Sequence, residues 1–244
     1  MDTTILILSM IIIFVSGLIQ GTTSFGFCLV ALPLISLFLP LKLIVPVLAL
    51  FSLIMNTIIL YDVRKSVKFK TISTLILGGI VATPLGTKLL MVIDDKVLRL
   101  IVGITIVLLA GLMYFNISFK IKKTNVAYIP VGFASGLLGG SLSLSGPPIV
   151  LFLTNIGVSK ETFKATLTAY FWVLNIITII TYFFNSLINA SVIKTATYLL
   201  PAMLVGVFTG IYLCKKINES VFKKLTLVLL LVMGLIAITT ALFA

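Results

Sequence analysis

Two glycine- and hydroxyl-rich stretches interrupt otherwise apolar sequence, and they constrain this chain more than any other feature. The first is GLIQGTTSFGFCLV, from Gly17 to Val30, and the second is GLLGGSLSLSGPP, from Gly136 to Pro148. A constant offset of 119 residues pairs Gly17 with Gly136, Gly21 with Gly140, Thr22 with Ser141, Ser24 with Ser143, and Asn56 with Asn175. Repetition at a fixed offset indicates an internal duplication. In a membrane, paired interruptions of this kind are typical of transporters.

The solvent of this chain is predicted to be lipid. Hydrophobic residues make up 60% of the 244 positions and charged residues only 10%, with a mean hydropathy of +1.30, which excludes an ordinary globular surface. The net charge of +12 does not indicate nucleic-acid binding, because the basic residues form short clusters between apolar runs. We therefore expect an all-α integral membrane protein that binds no nucleic acid.

Apolar runs of about 20 residues cross a bilayer as helices. The sequence predicts five helical segments in each half of the chain. In the first half they are 4–20, 24–39, 41–61, 71–91 and 97–119, and in the second half they are 126–139, 142–156, 162–184, 192–213 and 221–243. The predicted repeats are 1–125, with a hairpin apex near 20–26, and 126–244, with a hairpin apex near 139–147.

Basic clusters predict how these segments are oriented. Lysine-rich loops face the cytoplasm, here that of a bacterial inner membrane. The predicted cytoplasmic loops are 62–70, 120–125, 158–164 and 214–224. Counting crossings from these loops makes the first hairpin open to the outside and the second to the inside, so the two repeats have inverted topology. Whether each hairpin is re-entrant or crosses completely is left open by the short segments of 14 to 17 residues.

The interruptions place hydrogen-bond donors within the membrane. A helix that begins there exposes unpaired N–H groups with about half a positive charge, which suits an anion. For any single Gly, Ser or Thr, helix packing is the alternative interpretation, but packing does not require breaks and asparagines matched at one offset. The predicted substrate-binding residues are Gln20, Thr22, Thr23, Ser24, Gly26, Asn56, Ser141, Ser143, Ser145, Gly146 and Asn175. Residues considered as further cavity-lining groups are Phe25, Tyr170 and Trp172.

Both interruptions resemble signatures of a known family. The first, GLIQGTTSFGFCLVALPLI, is similar to the pattern G-x-x-Q-G-x-x-x-F-G-x-x-L-V-x-x-P-L, and the second, SGLLGGSLSLSGPPIVLFL, ends in a similar G-P-P. Together they resemble the sulfite exporter TauE/SafE family of membrane transporters, over nearly the whole chain. The resemblance implies transport of small sulfur-containing anions such as sulfite or an organosulfonate, for example sulfoacetate.

Absent residue types limit the chemistry. The chain has no histidine, its six acidic residues fall at segment ends, and Cys28 and Cys214 lack CxxC spacing. We therefore expect no metal, no cofactor, no enzymatic activity and no proton relay through a buried carboxylate. The expected function is secondary transport by alternating access between the repeats, with an anion channel or a non-transporting membrane scaffold as alternatives. A homodimer is considered as the assembly.

Overall fold

The computed structural model describes eight α-helices, labelled α1 to α8, and one short 3₁₀ turn at residues 64–66. The residues described are 3–66, 69–98, 100–101, 125–156 and 158–218, with single positions at 104, 221 and 228. The helices are α1 (Thr3–Thr23), α2 (Phe27–Ile35), α3 (Leu41–Val63), α4 (Phe69–Val92), α5 (Asn125–Leu142), α6 (Gly146–Ile156), α7 (Lys160–Phe184) and α8 (Ala190–Lys216). No strand occurs within these ranges, so the all-α prediction is confirmed for them.

Five helices are long and apolar enough to cross a bilayer. They are α1, α3, α4 from Ile72, α7 and α8, each of 21 to 27 residues and with a mean hydropathy between 1.7 and 2.5. At about 1.5 Å per residue, 21 residues span about 31 Å, which matches the hydrocarbon core. The chain is therefore a multi-pass membrane protein. The predicted fifth segment of each half, 97–119 and 221–243, lies almost wholly outside the described residues.

The segments around the two interruptions are shorter than predicted. The helix predicted over 24–39 is α2, which has nine residues, and the helix predicted over 142–156 is α6, which has eleven. The preceding helices run further than predicted, to Thr23 and Leu142, and within them the hydroxyls of Thr22 and Ser141 bond to the carbonyls four residues earlier. Each of these helices is followed by a serine in the left-handed conformation, Ser24 with φ 65° and Ser143 with φ 56°.

Three of the predicted basic loops are also shorter than predicted. The predicted loop 158–164 is wrong from Lys160 onward, since α7 begins there and Ser159 caps it by accepting a hydrogen bond from the Thr162 backbone N–H at 3.4 Å. The predicted loop 214–224 begins too early, because α8 continues to Lys216. The predicted loop 62–70 narrows to the 3₁₀ turn and the residues beside it.

Glycines allow two pairs of helices to pack with their backbones in contact. Helix α1 packs along α8, and a Cβ added at Gly21 would lie 2.9 Å from the Ile211 nitrogen and closer still to the Val207 carbonyl oxygen. Helix α4 packs along α5 in the same way, with Gly86 against the backbone of Ser141. Small residues at such crossings are the usual means by which helices approach closely in lipid.

Helices α3 and α7 form the centre of the bundle. They pack against each other, while α3 also contacts α8 and α7 also contacts α4. The end of α3 lies beside the beginning of α7, because Asp62 and Ser66 share a cavity with Lys160. The two central helices are therefore antiparallel, and the short helices α2 and α6 pack against α3 and α7 respectively.

Candidate functional site

Gln20 organises the first interruption. Its side-chain Oε1 accepts a hydrogen bond from the Phe27 backbone N–H at 3.2 Å, and its Nε2 donates to the Asn56 Oδ1 at 3.2 Å and to the Ser24 carbonyl at 3.3 Å. This single amide therefore connects the end of α1, the start of α2 and the middle of α3. Both Gln20 and Asn56 are buried, where a hydrogen bond is electrostatically stronger than in bulk water.

The start of α2 supplies backbone donors to the same place. The first backbone hydrogen bond of this helix is donated by Val30 to the Gly26 carbonyl at 3.1 Å. The amides of Cys28 and Leu29 precede that bond and have no acceptor within the helix. Gly26 has φ 101°, a left-handed conformation that glycine adopts without strain, and it turns the chain into α2. The helix thus presents its partial positive charge at this interruption.

The second interruption supplies hydroxyl groups instead. Ser143 donates its hydroxyl to the Val45 carbonyl of α3 at 3.2 Å, which ties this interruption to the first half of the chain. The Ser145 carbonyl accepts a hydrogen bond from the Ser135 hydroxyl at 2.6 Å. Helix α6 then begins with Gly146, Pro147 and Pro148, and the two prolines have no N–H to offer. The two interruptions are therefore chemically unequal.

The two interruptions meet at a cavity between α3 and α7. The volume of this cavity is about 40 Å³. The lining contains amides, hydroxyls, a thiol and three phenyl rings but no charged side chain. The lining residues are Gln20, Phe25, Gly26, Phe27, Cys28, Leu29, Ser52, Asn56, Ser143, Leu144, Ser145, Gly146, Phe171 and Asn175.

The two asparagines of the cavity each lie nearer the end of their helix than its start. Asn56 is fifteen residues after Leu41, the first residue of α3, and Asn175 is fifteen residues after Lys160, the first residue of α7. At 1.5 Å per residue each asparagine is about 22 Å from the start of its helix. Because α3 and α7 are antiparallel, the two amides approach the cavity from opposite ends of the bundle.

The structure brings together most of the residues predicted to bind substrate, but not all of them. Eight residues singled out from the sequence line the cavity, namely Gln20, Phe25, Gly26, Asn56, Ser143, Ser145, Gly146 and Asn175. Six others do not line it, namely Thr22, Thr23, Ser24, Ser141, Tyr170 and Trp172. Within the described ranges, no three His, Cys, Asp or Glu side chains are close enough together to hold a metal ion.

The residues outside the cavity have other contacts. Thr22 donates to the carbonyls of Leu18 and Gly210, and Thr23 donates to those of Ile19 and Phe25. Ser141 donates to the Leu137 carbonyl at 2.8 Å. Tyr170 donates to the Gly132 carbonyl at 3.2 Å, and the Trp172 indole donates to the Thr57 hydroxyl at 3.0 Å. Ser24 is fully buried and its hydroxyl has no partner.

Comparison with known protein families tests the family resemblance that the two signatures indicated. The family described as sulfite exporter TauE/SafE matches residues 9–236 of the 244. The chain belongs to this family. No curated protein and no solved structure matches the chain. TauE/SafE proteins are membrane transporters of sulfur-containing anions, which agrees with the helical bundle and with an interior cavity lined by neutral donors.

Sequence analysis missed several residues that line this cavity in the TauE/SafE chain. Ser52 lies one helical turn before Asn56 on α3, and Phe171 lies one turn before Asn175 on α7. Residues four apart share a helix face, so the positions of Asn56 and Asn175 were sufficient to predict that Ser52 and Phe171 line the same cavity. The same offset of 119 pairs Ser52 with Phe171. Cys28 also lines the cavity, with its sulfur 3.5 Å from the Ser52 hydroxyl oxygen.

Proposed function

We propose that this protein is a secondary transporter of small sulfur-containing anions, sulfite or an organosulfonate such as sulfoacetate, and that the central cavity is its substrate site. The observation that carries the proposal is the convergence of uncharged donors from both interruptions, buried at Gln20 and half-buried at Ser143 and Ser145, on one cavity beside Asn56 and Asn175. The backbone amides of Cys28 and Leu29, the hydroxyls of Ser52, Ser143 and Ser145 and the side-chain amides would surround the oxygens of a bound anion.

Neutral donors suit a transporter because binding must be reversible. A fixed cation in this buried position would hold an anion strongly and slow its release. The small volume of the cavity, about 40 Å³, also favours a small oxyanion such as sulfite. A longer organosulfonate requires the cavity to enlarge. No carboxylate lines the cavity, which supports coupling that does not use a buried acid.

Alternating access between inverted repeats is part of this proposal, and three features support it. Helix α1 packs on α8 as α5 packs on α4, which is the pattern expected when repeats 1–125 and 126–244 exchange their first and fourth helices. Ser24 and Ser143, at the same offset, share the left-handed conformation. The two asparagines enter from opposite ends of the antiparallel helices α3 and α7. A rocking motion of one repeat against the other would then open the cavity to each side in turn.

The orientation proposed is that of a bacterial cytoplasmic membrane with the basic loops inside. The end of α3, the start of α7 and the end of α8 share one cavity that contains Asp62, Lys160 and Lys215. Asp62, Lys160 and Lys215, which belong to three of the predicted basic loops, thus share one end of the bundle, and this supports a common cytoplasmic location for the loops. We retain the homodimer as a prediction.

Sulfite transport by purified protein in liposomes tests the proposal. We expect uptake of labelled sulfite by the wild-type protein, and a rise in KM of about tenfold or more for Asn56→Ala and for Asn175→Ala, because each loses a hydrogen bond to a charged ligand. Asn185→Ala is the matched control, since its amide bonds to the Thr181 carbonyl of its own helix. Unchanged KM values in both cavity variants would show that the cavity is not the substrate site. Absence of any sulfite flux through the wild-type protein would favour the non-transporting scaffold.

A second measurement in the same liposomes distinguishes a carrier from an anion channel. Sulfite loaded inside accelerates the entry of labelled sulfite through a carrier, because the occupied site returns faster than the empty one. A channel shows no such trans-stimulation. We expect trans-stimulation, as alternating access requires.

A further inference from the structure

A second and larger cavity lies at the basic end of the bundle, which we define by Asp62, Lys160 and Lys215. Its volume is about 230 Å³, and the end of α3, the start of α7 and the end of α8 surround it. We call this cavity the basic-end vestibule. Its lining residues are Asp62, Val63, Ser66, Lys160, Glu161, Lys164, Ile211, Cys214 and Lys215.

Most charges in the vestibule have partners. Lys215 forms an ion pair with Asp62 at 3.0 Å. The Lys160 ammonium donates to the carbonyls of Cys214 and Ile217 at 3.2 and 2.7 Å, so it caps the C-terminal end of α8. Glu161 is exposed and lies in the first turn of α7, where a carboxylate complements the helix dipole. The charge of each of these groups is therefore compensated by another part of the protein.

Lys164 differs from the other cations in the vestibule. Its side chain is only 6% exposed, and its ammonium donates to the Cys214 Sγ at 3.1 Å. An ammonium group has three donors, and a thiol is a weak acceptor. Among the residues that the structure describes, no carboxylate lies within ion-pair distance of Lys164. Burial of a cation with so little compensation is costly, and an anion bound beside the ammonium would reduce that cost.

The face of α7 that carries Lys164 leads to the central cavity. Thr168, Phe171 and Asn175 follow Lys164 at four, seven and eleven residues, which places all four within about 60° on the helix and about 16 Å along it. Phe171 and Asn175 line the central cavity. Between the two cavities lies Thr168, which is fully buried and whose hydroxyl has no hydrogen-bond partner.

We propose that Lys164 forms a second anion site in the basic-end vestibule, at which a small oxyanion such as sulfite binds before or after it occupies the central cavity. The role of this site in transport rests on the proposed function. Binding of an anion at Lys164, in contrast, depends only on the residues of the vestibule. The unpaired Thr168 hydroxyl is the next donor on the path between the two sites. In the present conformation Thr168 and the edge-to-face pair of Phe25 and Phe163 are buried between the central cavity and this end of α7.

Titration of purified protein with sulfite at constant ionic strength tests this proposal. The measurement is made in an Asn56→Ala background, so that binding in the central cavity is weakened and the vestibule is observed. We expect sulfite binding to remain there, and to weaken at least tenfold on adding Lys164→Met, which keeps the buried stem and removes the charge. Lys164→Arg should retain the binding. Lys216→Met is the matched control, because Lys216 is exposed and its ammonium lies over the Tyr212 ring.

Two results would overturn the proposal. One is an affinity that is equal, within twofold, in the Lys164→Met and Lys216→Met proteins, and the other is the absence of any sulfite binding in the Asn56→Ala background. Circular dichroism and gel filtration check that each variant is folded. If Lys164→Met does not fold, Lys164→Gln takes its place. Absence of sulfite flux through the wild-type protein would contradict the proposed function alone, since the titration needs no transport.

Discussion

Replacing Gly21 by alanine perturbs the closest approach of α1 and α8. The added Cβ would lie 2.9 Å from the Ile211 nitrogen and closer to the Val207 carbonyl oxygen, whereas ordinary contacts begin at 3.4 Å. Both neighbours are backbone atoms of a helix and cannot rotate away. The two helices therefore have to separate by at least about half an ångström along this contact.

The expected cost is about 2 kcal/mol, as for other overpacked interiors. In a chain of this size that corresponds to a fall in Tm of about 4–8 °C. The assay is thermal unfolding in detergent, followed by the fluorescence of Trp172, the one tryptophan of the chain. Gly17→Ala is the graded control, since its Cβ would lie 3.1 Å from the Met203 carbonyl oxygen, and we expect a fall of at most about 2 °C. Equal Tm values for the two variants would refute the backbone-contact argument.

Two further substitutions compare the contribution of a buried polar contact to stability with that of an exposed one. Tyr182→Phe removes a buried hydrogen bond to the Gly140 carbonyl at 2.8 Å, so we expect a loss of about 1–2 kcal/mol in thermal unfolding, while Tyr198→Phe at an exposed position has no effect. Asp62→Asn breaks the Lys215 ion pair, whose side chains are 63% and 37% exposed, so unfolding in low and high salt should differ from wild type by less than about 1 kcal/mol. A large loss in the Asp62 variant, or none in the Tyr182 variant, would contradict these expectations.

The parts of the fold that sequence could predict are those set by local pattern. Long apolar runs predicted the membrane-crossing helices, because only helices satisfy their backbone in lipid. The constant offset singled out Asn56 and Asn175, and both lie on the central cavity. The two signatures predicted membership of the TauE/SafE family, which is confirmed.

Other features depended on the contacts that each side chain makes in the folded protein, which the sequence does not show. The hydroxyls of Thr22 and Ser141 were predicted to bind substrate, but each bonds to its own helix, an option open to any membrane Ser or Thr. Lys164 was assigned to a cytoplasmic loop on charge alone. Its burial beside Cys214 follows from the start of α7 at Lys160 and from the packing of three helix ends.

The unequal composition of the two interruptions has a consequence for selectivity. Main-chain amides at the start of α2 are fixed in direction by the helix, so one half of the cavity has a rigid geometry that substitutions scarcely alter. In the opposite half the Ser145 side chain can be replaced without altering the backbone, whereas Ser143, with φ 56°, is limited to residues that tolerate the left-handed conformation. Related chains could therefore change their preferred solute by exchanging side chains after α5 while α2 keeps the same anchor for negative charge.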